Sequence, residues 1–158
     1  MKTLKANSKA PDFSLPDQNN KVHSLSDYKN QWVLLYFYPK DDTPGCTKEA
    51  CAIRDEFPKF KKLNCVVLGV SIDSMKSHEK FIKKYKLPFL LLSDEKKEVV
   101  KLYNVWQKKK FMGREYMGIL RTSFLINPEG KIVNVYKDVK PESHAEEILE
   151  DLKNFNIK

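Results

Sequence analysis

The chain has 158 residues and a mass of 18.5 kDa, and its residues are 41% hydrophobic, 11% aromatic and 32% charged. This length suits one domain with its own core, and the composition excludes collagen-like, low-complexity and generally disordered chains. The net charge of +8 admits a nucleic-acid partner. Only three of the 29 basic residues are arginine, however, and the lysines are dispersed. A solvated lysine-rich surface is therefore the better interpretation.

The N-terminal residues 1–9 carry lysines without an apolar stretch behind them. We therefore expect no secretory signal and a cytoplasmic location. The longest apolar run, residues 32–38, is far shorter than the roughly 18 residues that a membrane span requires. The cysteine count of three is odd, which argues against a secreted disulfide scaffold and for thiols that are reactive, buried or both.

In chain order, the first predicted element is a β-hairpin, because residues 12–15 and 21–24 flank the turn-forming sequence Pro16-Asp-Gln-Asn-Asn. Continuous apolar runs at residues 32–38 and 65–72 predict strands that are buried on both faces, as in a parallel or mixed sheet. Shorter strands are expected at residues 89–92, 122–126 and 131–136. The last two should pair, because the sequence between them, Asn-Pro-Glu-Gly, forms turns.

Helical patterns lie between the strands, at residues 74–85, 96–103 and 143–155. Ser74 is a good N-cap residue for the first, and the third opens with a capping-box sequence, Ser-His-Ala-Glu. This alternation predicts one α/β domain over residues 1–158, with helices on both faces of a central sheet. Residues 104–119 show no clear period, so we expect a loop near the functional end.

A further helix should begin just after the strand at residues 32–38. Thr43 offers a side-chain oxygen as N-cap, Pro44 suits the first helical position, and Gly45 allows close approach to the backbone. Cys46 therefore falls in the first turn, beside unpaired N–H groups and the positive end of the helix dipole. Cysteines in that position ionise more readily than free thiols.

The apolar spacing of this helix places Cys46 at the start of a buried face, which continues through Ala50, Ile53, Phe57 and Phe60. Two interpretations follow from position alone. The thiol is either activated for chemistry, or it is a small core residue that fills space.

Cys51 favours the first interpretation. It lies about 140° around an ideal helix from Cys46, at a Cα–Cα distance of about 8.7 Å. A disulfide needs roughly 4.4–6.8 Å. The two thiols can therefore join only if at least one turn unwinds, which is typical of a switch. A zinc site is a weak alternative, because a structural site takes four ligands and the nearby sequence offers no third cysteine or spaced histidine.

The remaining candidate residues have ordinary explanations. Cys65 begins an apolar strand and is best interpreted as a core thiol. His23, His78 and His144 lie on polar segments at unrelated positions, and none forms a cysteine–histidine nucleophile pair that the sequence can show. Without a histidine base, activation of Cys46 would have to come from the helix start, a hydroxyl group and an arginine.

The segment Tyr38-Pro-Lys-Asp-Asp-Thr-Pro-Gly-Cys-Thr-Lys-Glu-Ala-Cys51 resembles the active-site signature of peroxiredoxins of the Q-type, or bacterioferritin-comigratory-protein, branch. The family's Pro-x-x-x-Thr-x-x-Cys pattern falls on Pro39, Thr43 and Cys46, its resolving cysteine on Cys51 and its arginine on Arg121. Weaker matches span most of the chain: Ala10-Pro-Asp-Phe-Ser-Leu, Gly69-Val-Ser-Ile-Asp-Ser and His144-Ala-Glu-Glu-Ile-Leu. Asn127, where an Asp is common, and the extra Cys65 depart from the pattern.

This resemblance implies a thioredoxin-like fold with a central mixed sheet and an N-terminal hairpin extension. It implies a peroxidase in which Cys46 attacks hydrogen peroxide or an organic hydroperoxide and becomes a sulfenic acid, and Cys51 then closes a disulfide. Arg121 and Thr43 would donate hydrogen bonds, and Pro39 would shield the thiolate. Thioredoxin would restore the thiols, no metal or cofactor is needed, and a monomer is expected.

The resemblance also implies that Glu49 orients Arg121. Three other hypotheses remain open from the residues themselves: a thioredoxin-like disulfide exchanger, a basic nucleic-acid-binding module, and a redox sensor that uses the same Cys46 and Cys51. The five-residue cysteine spacing argues against the exchanger, because its two thiols would start far apart.

Overall fold

The structure is a computed structural model, and it describes residues 4–156. It contains nine strands in chain order: β1 (Ser14–Pro16), β2 (Val22–Ser24), β3 (Trp32–Phe37), β4 (Cys65–Ser71), β5 (Leu90–Ser93), β6 (Trp106–Phe111), β7 (Arg114–Ile119), β8 (Thr122–Ile126) and β9 (Ile132–Tyr136). The α-helices in this part of the chain are α1 (Pro44–Lys62), α2 (Met75–Tyr85), α3 (Glu98–Leu102) and α4 (His144–Asn156). A short 3-10 helix, Leu25–Tyr28, follows β2.

The central sheet has five strands in the order β5-β4-β3-β8-β9. Strand β3 runs parallel to β4 and antiparallel to β8, and β4 runs parallel to β5. Every residue of β3 is buried, as its continuous apolar sequence predicts for a strand covered on both faces. The expected α/β fold with a mixed central sheet is confirmed.

The two faces of the sheet carry separate hydrophobic clusters. Leu34 and Tyr36 of β3 pack with buried residues of α1, α2 and α4. Leu35 and Phe37, which point to the opposite face, pack with residues of α3 and of the N-terminal segment. This alternation follows from the two-residue period of a strand. Among the described residues, none of the helices has both the length and the apolar character that a membrane crossing requires.

The expected elements all appear, with bounds within two residues of those predicted. Strands β1 and β2 pair as the predicted N-terminal hairpin, and β8 and β9 pair around the Asn127–Gly130 turn. Ser74 caps α2, since its hydroxyl accepts a hydrogen bond from Ser77 N at 3.1 Å.

The loop predicted for residues 104–119 is wrong. Strands β6 and β7 form an antiparallel hairpin there, with a two-stranded sheet of its own. Most of its residues are exposed or only half-buried on both faces. A strand without a buried face needs no alternation of apolar and polar residues, so the usual pattern is absent from the sequence.

Candidate active site

Cys46 is positioned by the passage from β3 to α1. The strand ends at Phe37, a turn follows, and α1 starts with Pro44 at its first position. Cys46 therefore lies in the first helical turn, where its side chain is 2% exposed. The buried face predicted for this helix is confirmed: Ala50, Ile53 and Phe60 are buried with it, and Phe57 is partly buried against the same core.

Thr43 occupies the N-cap position with an extended backbone, but its side chain does not cap the helix. Its hydroxyl instead donates a hydrogen bond to Lys40 O at 2.8 Å. The capping role predicted for Thr43 is therefore wrong in this conformation. As a consequence, the first turn of α1, which contains Cys46, lacks the stabilisation that a side-chain cap supplies.

Arg121 meets Cys46 although 75 residues separate them. It lies between β7 and β8, and β8 is the antiparallel neighbour of β3. The guanidinium donates two hydrogen bonds, from Nη2 to Cys46 Sγ at 3.3 Å and from Nη1 to Glu49 Oε1 at 2.8 Å. A Cβ at Gly45 would stand 3.0 Å from Arg121 Nη2, so glycine leaves room for this approach.

Burial sets the electrostatics of the Arg121–Glu49 pair. Burial raises the pKa of the Glu49 carboxyl to about 7, even though Arg121 acts to lower it. Burial also opposes the charge of Arg121, but Cys46 and Glu49 outweigh it and raise the pKa of the guanidinium. The second carboxylate oxygen, Glu49 Oε2, is buried without a hydrogen-bond partner. The site therefore holds a permanent cation against the thiol at the cost of a poorly solvated carboxylate.

The two other cysteines differ from Cys46 and from each other. Cys51 is free, partly exposed, and lies further along the same unbroken helix. Cys65 is buried at the start of β4, and burial raises the pKa of its thiol to about 12. These surroundings agree with a core role for Cys65 and leave Cys51 reachable from solvent.

Pro39 and Lys109 complete the surroundings of the site. Pro39 follows the buried β3 and Tyr38 directly, is partly buried, and has no N–H to donate. The sequence does not single out Lys109 of β6, because this residue sits in a run of three lysines. Its Nζ donates to Ile119 O at 3.0 Å. Burial and the neighbouring Arg121 lower the pKa of the Lys109 ammonium.

A buried network holds the turn before Cys46. Asp41 accepts hydrogen bonds from Tyr38 Oη at 2.5 Å and from Ser77 Oγ at 2.8 Å, and its Oδ2 lies 2.7 Å from His78 Nδ1. His78 Nε2 faces Leu92 O at 3.0 Å. No local pattern in the sequence indicates this network, because Asp41 and His78 are 37 residues apart. It ties the turn to α2 and β5.

The polar atoms of Asp41, Asp73 and His78 lie within 4.8 Å of one another, a spacing that a metal ion could use. Each of them is already engaged, however: Asp73 Oδ2 accepts hydrogen bonds from Asp41 N and Ser71 Oγ. The arrangement is therefore a satisfied hydrogen-bond network.

The other two histidines are buried, contrary to the polar positions expected from their segments. His23 contacts Asp17 at 2.7 Å and Tyr28 Oη at 2.7 Å. His144 Nε2 contacts Ser123 Oγ at 2.7 Å. Within the described part of the chain, no histidine hydrogen-bonds Cys46, which agrees with the absence of a cysteine–histidine pair.

Comparison with known proteins decides the family. A model of the AhpC/TSA family matches residues 6–135. The chain belongs to that family. Peroxiredoxin Bcp of Bacillus subtilis (strain 168) is 46% identical over 156 residues, which cover 99% of both chains. Peroxiredoxin Bcp of Escherichia coli (strain K12) is 47% identical, over 97% of this chain and 98% of the relative.

Solved peroxiredoxin structures agree in fold. A cysteine-to-serine mutant of Xylella fastidiosa PrxQ superposes with a TM-score of 0.93 at 37% identity, over 99% of each chain. Xanthomonas campestris bacterioferritin comigratory protein superposes with a TM-score of 0.86 at 36% identity, over 90% of this chain and 91% of that one. The predicted Q-type resemblance and thioredoxin-like fold are confirmed, and this peroxiredoxin is a cysteine-dependent peroxidase.

Proposed function

We propose that Cys46 is the peroxidatic cysteine, that Cys51 resolves it, and that Arg121, Thr43 and Pro39 form the rest of the catalytic site. One observation carries the proposal. Arg121 Nη2 lies 3.3 Å from Cys46 Sγ in the first turn of α1. A permanent cation at that distance favours the thiolate, which is the nucleophilic form of cysteine.

In the first step the Cys46 thiolate attacks the distal oxygen of a hydroperoxide, ROOH. An S–O bond forms and the O–O bond breaks. The leaving RO⁻ takes up a proton and departs as ROH or water, and Cys46 becomes a sulfenic acid. Negative charge develops on the oxygens in the transition state. Arg121 is already in place to stabilise this charge, because its Nη1 donates a hydrogen bond to Glu49.

Thr43 and Pro39 act on the same step. The hydroxyl of Thr43 donates to Lys40 O, so it has to rotate before it can donate to the peroxide or to sulfur. Pro39 adds no competing N–H beside the thiolate and helps to exclude water. We assign both roles from the positions of Thr43 and Pro39 in the turn before α1.

In the second step the Cys51 thiol condenses with the Cys46 sulfenic acid, water leaves, and a disulfide forms. Because α1 is continuous from Pro44 to Lys62, the two residues stand about 8.7 Å apart at Cα until the first turns unwind. The missing Thr43 cap lowers the cost of that unwinding. A side-chain cap typically contributes about 1 kcal/mol.

A dithiol reductase, for which thioredoxin is our candidate, then returns both thiols. The Xanthomonas campestris relative was studied for alkyl peroxide reduction, which supports alkyl hydroperoxides as substrates here besides hydrogen peroxide. We further propose that the protein works as a monomer in the cytoplasm and that the cycle uses no cofactor.

Intact mass after one equivalent of hydrogen peroxide tests this cycle. We expect the fully reduced protein to lose about 2 Da, with the new disulfide mapped to Cys46 and Cys51. Cys51→Ser should instead gain oxygen on Cys46, reduce one equivalent of peroxide and become prone to over-oxidation. Cys65→Ala is the matched control and should behave like the wild type.

The outcomes separate the parts of the proposal. Normal thioredoxin-coupled turnover by Cys51→Ser would remove Cys51 as the resolving residue. A disulfide between Cys46 and Cys65 would show that Cys65, and not Cys51, is the resolving residue. No rapid mass change at all would leave Cys46 an ordinary core thiol.

A further inference from the structure

The β6–β7 hairpin exposes apolar side chains that no other described residues cover. Phe111 is 66% exposed and Met112 89% exposed at its tip, while Tyr116 and Met117 are each 47% exposed on β7. Within residues 4–156, only three other large apolar side chains are exposed, and they are scattered: Val22, Leu102 and Phe155. A local concentration of this kind marks an interaction surface.

The tip is also unfavourable for folding in two respects. Met112 and Gly113 connect the strands with positive φ angles of 51° and 79°. Asn or Gly normally occupies the first of these positions, because longer side chains are strained there. A Cβ placed on Gly113 would meet nothing within 4 Å, so the tip projects into open space. Folding does not explain an apolar residue at this strained and exposed point.

Positive charge surrounds this apolar tip. Lys110 directly precedes Phe111 in the chain, and Arg114 pairs with Phe111 across the hairpin. Lys108 and Lys109 lie on β6, further from the tip. Glu115 is the hairpin's only acidic residue, and it lies 3.7 Å from Lys108 Nζ. Among the described residues, no carboxylate forms an ion pair with Lys110 or Arg114. The hairpin is therefore a cationic projection with exposed apolar side chains at its tip.

We propose that the β6–β7 hairpin docks this protein on an anionic phospholipid bilayer, with Phe111 and Met112 inserted among the lipids and Lys108, Lys110 and Arg114 against the headgroups. The combination of apolar side chains with flanking cations is that of interfacial membrane segments. The attachment is peripheral, since no described helix could cross a membrane.

The shape of the hairpin favours a bilayer over a protein partner. A stable protein interface buries about 800 Å² on each side and needs a complementary surface. Phe111 and Met112 at the tip, with Tyr116 and Met117 along β7, are too few to bury that area. A fluid bilayer adapts to a projecting tip, and its negative surface complements the unpaired cations.

The hairpin is joined directly to the active site. Strand β7 ends at Ile119, two residues before Arg121, and Lys109 Nζ donates to Ile119 O. Docking would therefore bring the side of the molecule that carries Cys46 towards the membrane. The docking itself needs no peroxide chemistry, so the two proposals fail independently.

Vesicle flotation with the full chain tests the docking. The wild type should bind vesicles of mixed phosphatidylglycerol and phosphatidylcholine and dissociate from them at high salt. It should not bind vesicles of pure phosphatidylcholine. Phe111→Ser with Met112→Ser should weaken binding at least tenfold. Val22→Ser is the matched control, because Val22 is 60% exposed elsewhere on the surface, and it should bind like the wild type.

A second pair of variants separates the hairpin's charge from net charge. One double variant combines Lys108→Gln with Lys110→Gln. The other combines Lys61→Gln with Lys62→Gln, which removes the same charge from the exposed end of α1. Only the hairpin pair should weaken binding about tenfold or more, because cations next to a membrane each contribute appreciably to attachment. Hydrogen peroxide turnover in solution should stay unchanged in every variant.

Fluorescence gives an independent readout. A Met112→Trp variant should shift its emission to the blue on anionic vesicles and be quenched by brominated lipid. Equal effects of the hairpin and control variants, or no binding to anionic vesicles, would overturn the proposal. A concentration-dependent dimer that is lost in the Phe111→Ser, Met112→Ser variant, without vesicle binding, would overturn it in favour of self-association.

Discussion

Cys46 and Cys65 are buried to nearly the same degree, at 2% and 4% exposure, and each stands near the start of an element. Their surroundings differ in charge. Cys65 Sγ donates a long hydrogen bond to Val66 O at 3.7 Å, and burial raises the pKa of its thiol to about 12. Cys46 Sγ faces Arg121 Nη2 at 3.3 Å in the first turn of a helix.

Under the proposed mechanism, this contrast means that burial alone does not decide whether a thiol reacts. At Cys65, desolvation disfavours the thiolate. Only at Cys46 does the fold supply a fixed cation and a helix start that favour the thiolate. Hydrophobic patterning predicts that both cysteines are buried. It does not show that Arg121, which precedes β8, lies beside Cys46 and not beside Cys65.

The largest expected effect comes from removing the proposed peroxidatic thiol. Cys46→Ser should slow hydrogen peroxide reduction at least ~1000-fold, which is about 4 kcal/mol of barrier, because a serine hydroxyl stays protonated and is a poor nucleophile. Cys65→Ala should remain within about twofold of the wild type, since it removes no charge partner. The measurement is the second-order rate with peroxide under single-turnover conditions. Equal losses in the two variants would break the contrast.

Glu49 extends the comparison from thiols to a carboxyl group. Its negative charge is buried, and Arg121 compensates that charge only in part. Burial raises its pKa from 4.5 to about 7. The folded protein therefore holds the proton more tightly than the unfolded chain does. The resulting stabilisation is fully present below about pH 4.5 and is lost as the pH rises through 7.

The shift corresponds to about 3 kcal/mol in the free energy of unfolding. Glu49→Gln stays neutral, so the difference between this variant and the wild type should change by that amount between pH 4 and pH 8. Urea unfolding at several pH values measures it, and Glu79→Gln, on exposed α2, is the control without a pH-dependent difference in this direction. A difference that does not change with pH would show that Glu49 is solvated or fully paired.

Arg121 is the group that distinguishes the two cysteines, so its removal should make Cys46 resemble Cys65. Arg121→Ala should slow peroxide attack at least tenfold, about 1.4 kcal/mol or more of barrier. Arg121→Lys keeps the charge but cannot reach Cys46 and Glu49 with a planar fork, so it should restore only part of the rate. Arg54→Ala is the control, because Arg54 contacts Tyr85 O on another side. An unchanged rate in Arg121→Ala would remove Arg121 from the site.

Local sequence patterns predicted the position of Cys46 at a helix start but not its contact with Arg121. The start of α1 and the inward face of Cys46 follow from local signals: Pro44 after an N-cap residue, and apolar residues at helical spacing. The contact with Arg121 joins residues 75 positions apart. Local pattern holds no information at that separation, so only the family resemblance suggested it.

Other misses have the same cause or a related one. The Asp41–His78 pair joins the turn to α2 across 37 residues. Thr43 has two acceptable partners within reach, and the fold selects Lys40 O over the helix N–H groups. The β6–β7 hairpin has no buried face, so nothing in its sequence alternates. Local patterns predict secondary structure where one face of an element is buried, and they do not predict contacts between residues far apart in the chain.

The smallest expected effect tests Cys65, the other cysteine of the comparison. Cys65→Ala should lower the free energy of unfolding by about 1 kcal/mol, because it removes one buried sulfur and leaves a small cavity. Iodoacetamide added to the native, reduced protein should label Cys46 and Cys51 and leave Cys65 unmodified until urea unfolds the chain. The two measurements are independent, since one depends on packing and the other on the thiolate. Rapid native labelling of Cys65 would mean that this thiol reacts in the folded protein despite its raised pKa, and would contradict the contrast with Cys46.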